Sequence, residues 1–248
     1  VPATGMRLAD ATWTDVRDAD ADIAALPVGS TEGHGPHAPL GTDAFTAEAV
    51  ADAGADAYEA ETGDPVLVAP TVPVGISEEH RAFDGTLWVS PDTFRAYVRE
   101  TVESLAAGDG PDAVVLVNGH GGNTDALREV AARLTRDEVA QVAPFTWFEA
   151  VGEHSSDMGH AGPLETAFLR HEHPELVRED RVDEAREGGS DRWGDWVSGV
   201  NLAIDSDEFT ENGVVGDPGA GDAERGAELK ELATAALVDL LEAVRERS

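Results

Sequence analysis

A chain of 248 residues with 41% apolar side chains can bury one sizeable α/β core, and no linker, repeat or low-complexity tract divides it, so a single domain over residues 1–248 is expected. It contains no cysteine, which excludes disulfides and thiolate metal sites; it also has no apolar run near bilayer length and no basic or apolar leader, so a cytoplasmic protein without a membrane partner is expected. Fifty acidic residues against 17 basic ones give a formal charge of −33, which excludes the clustered Lys and Arg that nucleic acid requires and predicts a halophilic surface, since in molar salt the Debye length shrinks to about 3 Å.

Apolar runs alternate with amphipathic stretches in the pattern of a mostly parallel sheet. Ile23–Val28 reads as a strand that delivers the chain into LPVGSTEGHGPHAPLGTD, where Thr42 caps a helix through AFTAEAVADAGADAYEA with Asp43 in its first turn. Residues 66–72 read as a second strand leading into GISEEHRAFDGT, and Ser90-Pro91 opens a helix through FRAYVRETVESLAA. Residues 113–117 are apolar without alternation, as in a strand buried on both faces, and NGHGGN follows at once, ahead of the helix DALREVAARLTR. A fourth strand is expected over 142–148, a loop to Gly162, a helix through LETAFLRH, and a closing helix over 222–247. Residues 178–220, rich in Gly and Asp, suggest a lid or an oligomer contact.

The residues with chemistry stand in Gly-rich turns that follow apolar runs: Glu32, His34 and Asp43 in the first, His120 in NGHGGN, His160 and Glu165 in GHAGPLET. Glu32, His34, Asp43, His120 and Glu165 are five candidate metal ligands, more than one ion with an open position requires, and a carboxylate such as Asp43 can bridge two ions roughly 3.5 to 4 Å apart. Gly121 and Gly122 keep the loop small enough for substrate to approach the metals. With Asn123 and His80 they are the expected substrate-binding residues. His37, His154, His171 and His173 read as surface or structural histidines, and Glu78 and Glu79 as solvated surface.

The blocks LPVGSTEGHGPHAPLGTD, GISEEHRAFDGT, VLVNGHGGN, GHAGPLET and ENGVVGDP together resemble the successive signatures of the creatininase (creatinine amidohydrolase) family over about residues 6 to 240. The resemblance implies a three-layer α/β/α sandwich with a mostly parallel sheet. It also implies two divalent ions per chain (Zn, Mn or Fe), hydrolysis of a non-peptide C–N bond through a metal-bound hydroxide, and a homo-oligomer, often a hexamer. One metal would sit on Glu32 and His120 and the other on His34 and a distal glutamate, with Asp43 between them and His160 beside the reacting amide as proton donor or oxyanion partner. The pattern that creatinine-acting relatives resemble has a glutamate where this chain has Gly122. Glu165 is therefore the expected replacement, as ligand and in catalysis, and a small cyclic amide or formamide other than creatinine the expected substrate. Family members closer to NGHGGN include a formamidopyrimidine-nucleotide deformylase of flavin and deazaflavin biosynthesis and a mycofactocin precursor peptide hydrolase. A phosphorylated substrate would need a cation such as Arg81, Arg170 or Arg192 near the site. A phosphoesterase or a non-catalytic regulatory paralogue would retain the same metal ligands.

Overall fold

The computed structural model describes residues 6–248; the reading of the first five residues lies outside it. Five strands, β1 (Met6–Arg7), β2 (Ile23–Val28), β3 (Val66–Val68), β4 (Ala113–Asn118) and β5 (Gln141–Thr146), form one parallel sheet in the order β1-β3-β2-β4-β5. Every residue of β2 and β4 is buried, because helices cover both faces of the sheet. Ile23, Ala25, Ala113, Val115 and Val117 turn toward one core, built with the helices α2 (Thr42–Thr62), α5 (Pro163–Glu172) and α7 (Ala223–Arg245). The intervening Ala24, Leu26, Val28, Val114 and Leu116 face a second core with α3 (Pro91–Leu105) and α4 (Thr124–Arg136). This period-two division of the strands makes the three-layer α/β/α sandwich. Among the described residues no helix is long and apolar enough to cross a membrane.

Local chemistry sets the element ends. Ser90 caps α3 by accepting from the Thr93 N–H, with Pro91 in the first turn, and Asp222 caps α7 through the Arg225 N–H. Thr42 is not the cap of α2: Gly41 holds that position, and the Thr42 hydroxyl donates to the Pro39 carbonyl instead. The second strand stops at Val68 short of residue 72, because Pro70 and Pro73 lack the N–H a ladder needs; Val72 makes one isolated bridge to Val28. β5 ends at Thr146, and Trp147–Glu149 turns away as a 3-10 helix. The strand β1 and the helix α1 (Trp13–Ala19), opened by a Thr12–Asp15 capping box, had no counterpart among the expected elements.

Residues 178–220 hold the short helix α6 (Val182–Glu187) and a hairpin of β6 (Trp196–Val197) and β7 (Val200–Asn201), joined by 3-10 turns. Two ties fix the segment to the body. Arg170 on α5 bonds Glu179 and the carbonyls of Pro218 and Gly221, and Val215 bridges both His160 and Ser190. The segment thus forms one wall of the site.

Candidate metal centre

Strand order reverses between β2 and β4: β3 lies on one side of β2 and β4 on the other, so their carboxyl ends open a crevice at a topological switch point. Glu32 and His34 follow β2, His120 follows β4, and Asp43 comes from the first turn of α2. Gly119 permits this approach, since a Cβ there would collide with the Asp43 carbonyl. His160 and Glu165 arrive from the loop before α5 and its first turn, and none of the six residues is more than 6% exposed.

Backbone carbonyls orient three imidazoles. His34 Nδ1 lies 3.1 Å from the Glu32 carbonyl, His120 Nε2 2.7 Å from that of Ile76, and His160 Nε2 2.8 Å from that of Gly33, so each ring donates there and turns its other nitrogen inward. His34 Nε2 then lies 3.0 Å from Asp43 Oδ1, and His120 Nδ1 lies 3.2 Å from both Asp43 Oδ2 and Glu32 Oε1. Asp43 therefore divides its two oxygens between two histidines. Glu165 Oε2 is 3.9 Å from His34 Nε2 and is held by the Ala161 N–H at 2.5 Å. Among the described residues, both oxygens of Glu32, Asp43 Oδ2 and His34 Nε2 have no hydrogen-bond partner. Imidazole nitrogens and carboxylate oxygens converging in a buried site form a donor set that fits divalent metals held by N and O ligands.

The family's sequence profile, Creatininase: Creatinine amidohydrolase, matches residues 9–241. The chain belongs to the creatininase family. It is 39% identical over 160 residues to the mycofactocin precursor peptide peptidase of Mycobacterium ulcerans, a stretch that covers 63% of this chain and 61% of that relative, so the match spans less than two thirds of the relative's length. Among solved structures, a Bacteroides fragilis protein described as a creatinine amidohydrolase superposes with a TM-score of 0.81 at 26% identity, covering 98% of this chain and 97% of the other. A Zn-Zn type creatininase mutant superposes with a TM-score of 0.78 at 22% identity, covering 97% and 98%, which establishes the shared fold.

The electrostatics of this creatininase-family site follow from the crowding of buried titratable groups. Burial opposes charge on His34 and His120, but the carboxylates outweigh it: Asp43, Glu165 and Glu32 raise His34 to about 10, and Glu32 and Asp43 raise His120 well above the ordinary range. Burial likewise opposes charge on Glu32, yet His120, His80 and His160 pull it well below the usual carboxylate range. Burial, offset only in part by His34, pushes Glu165 up to about 7. Burial and the neighbouring His34 hold His160 down to about 4, and burial with His160 holds His80 down to about 2.

The remaining expected residues divide between cavity and frame. His80, Gly121 and Gly122 line a cavity of about 390 Å³ together with His120, His160 and Glu165. His80 is 1% exposed, neither ring nitrogen has a hydrogen-bond partner among the described residues, and Nε2 lies 3.7 Å from Glu32 Oε1, so it sits among the candidate ligands as well as beside the cavity. Asn123 does not reach this space: its amide accepts from the Ile76 N–H and donates to the Gly29 carbonyl, which braces the two loops. Glu79 corrects a further expectation. It is half-buried in the cavity wall, with its carboxyl raised chiefly by burial, and is not solvated surface. Trp193, from the irregular segment, places its ring 5.9 Å from His80 and 6.0 Å from His160, a contact no sequence motif signalled. His37 is structural as expected, fully buried and bonded to Thr166.

Proposed function

We propose that this protein is a metal-dependent hydrolase of amide C–N bonds, carrying two divalent ions. The observation behind this reading is the division of Asp43 between His34 and His120. Glu32, Asp43 and His120 would hold one ion, and His34, Asp43 and Glu165 the other. Bound there, the metals would lower the pKa of a water and polarise the scissile carbonyl. The protein's own groups do the rest. His160, fixed through Nε2 to Gly33, is neutral near pH 7 and offers Nδ1 to receive a proton and return it to the departing nitrogen. Glu79 at the rim can accept a hydrogen bond from a substrate N–H. Trp193 and His80 shield the reacting bond from bulk water.

Among the expected substrates, a peptide-like amide has the strongest support. A Cβ at Gly122 would lie 2.5 Å from His120 Nε2, so this loop has no room for the glutamate of the creatinine-acting pattern. The Mycobacterium ulcerans relative is by name a precursor peptide peptidase. Assays of metal-reconstituted protein against creatinine, a formamide, short peptides and a chromogenic phosphate ester test the proposal. Metal-dependent turnover of a peptide or formamide is expected, and phosphate-ester turnover without amide hydrolysis would refute it. A cytoplasmic, salt-adapted homo-oligomer is part of the same proposal, motivated by the charge of −33 and the family resemblance.

A further inference from the structure

Beyond Trp193 the metal cavity adjoins a second, larger groove of about 610 Å³. Met158, Gly159 and Trp193 border both spaces. The floor and sides of the groove are Pro163, Val215 and Gly216, and its charged groups are Asp157, Asp191, Arg192 and Arg225. Arg225 is already committed, with its guanidinium 2.6 Å from Asp157. Among the described residues Arg192 bonds only through its backbone, whose N–H donates to the Ser190 hydroxyl and whose carbonyl accepts from it, and no carboxylate is paired with its guanidinium.

This arrangement is informative in a chain so rich in acid. Of the three arginines that the sequence offers as anion partners, Arg81 is paired with Asp205 and Arg170 with Glu179, which leaves Arg192. Arg136, Arg178 and Arg247 also lack a carboxylate partner among the described residues but do not line this groove. One guanidinium without an ion-pair partner, with Asp191 beside it, matches a monoanion better than a dianionic phosphate. The apolar part of the wall, Met158, Pro163, Trp193 and Val215, suits a substrate that continues past the scissile amide.

We propose that the groove is a substrate subsite in which Arg192 binds a carboxylate carried by the amide substrate, on the portion that extends beyond Trp193. This inference rests on the amidohydrolase reading and adds the substrate's chemical class: an amide bearing a free carboxylate, as at the end of a peptide.

The test is binding, so that it does not depend on turnover. Acetyl-trialanine with a free carboxylate, its carboxamide, and methyl phosphate are titrated into the purified full chain, as isolated and after chelator treatment, following tryptophan fluorescence at the lowest salt that keeps the protein folded. The carboxylate peptide should bind more tightly than the carboxamide in both states. Arg192→Gln should weaken it about five- to tenfold, as for a partly screened charge-assisted contact, and leave the carboxamide unchanged. Arg136→Gln, at the far end of α4, should change neither. Equal binding of the two peptides, no binding of either, a preference that disappears with the metals, or tighter binding of methyl phosphate would each overturn the subsite. Absence of amide hydrolysis would instead overturn the reading on which it rests.

Discussion

Adding one methyl group at Gly122 should weaken the metal centre, whereas adding it at Gly121 should not. A Cβ on Gly122 would fall against the Ile76 carbonyl oxygen and 2.5 Å from His120 Nε2, the two atoms whose 2.7 Å hydrogen bond orients the His120 ring. To reach ordinary contact at about 3.4 Å, the ring must retreat by about 0.9 Å, which breaks that bond and swings Nδ1 away from Glu32 and Asp43. Loss of such a supporting contact typically costs 10- to 100-fold in metal affinity, or about 1.4 to 2.7 kcal/mol. At Gly121 a Cβ meets nothing within 4 Å among the described residues. Zinc affinity measured by competition with a chromophoric chelator should therefore fall at least tenfold in Gly122→Ala and stay within twofold of the parent in Gly121→Ala. Equal affinities in the two variants would refute the role assigned to the Ile76–His120 contact.

His160→Ala should retain its metal content while turnover falls by about 10² to 10⁴, and loss of metal in that variant would make His160 a ligand. His37 supplies a pH signature: burial and His34 hold it down to about 4, against about 6.5 in the unfolded chain, so the unfolded state takes up the proton first as pH falls. Its contribution of about 3 kcal/mol is complete above pH 6.5 and lost on descent toward pH 4. Denaturant titrations across this range should show a shallower loss in His37→Asn, and parallel curves would contradict the assignment. Lowering KCl from molar to tenth-molar lengthens the Debye length to about 10 Å, so the melting temperature should drop; a flat or rising value would contradict a salt-adapted surface.

The central strands were legible because β2 and β4 are apolar without interruption, and the helices because their apolar faces and the Ser90 cap are local signals. The short reach of β3 was readable in principle from Pro70 and Pro73, but the apolar residues around them masked it. Glu32, His34 and His120 stood out because they follow strands in Gly-rich turns, and Asp43 and Glu165 because they fall in the first turns of helices next to such segments. Sequence alone could not distinguish Glu79 from the many other acids, since its burial comes from packing against the His120 loop. Trp193 reaches the histidines only through the fold of residues 178–220, whose anchors on Arg170 and Val215 are long-range. Asn123 was read from its neighbours in NGHGGN, yet its amide is satisfied by backbone partners at Ile76 and Gly29 that are distant in sequence.

The central claim is that two ions share Asp43. An anomalous difference map from crystals of the protein grown with zinc or manganese tests it most directly. Two peaks roughly 3.5 to 4 Å apart are expected, one against Glu32 and His120, the other against His34 and Glu165, with Asp43 touching both. A single peak, or two peaks with Asp43 bound to only one, would contradict the account.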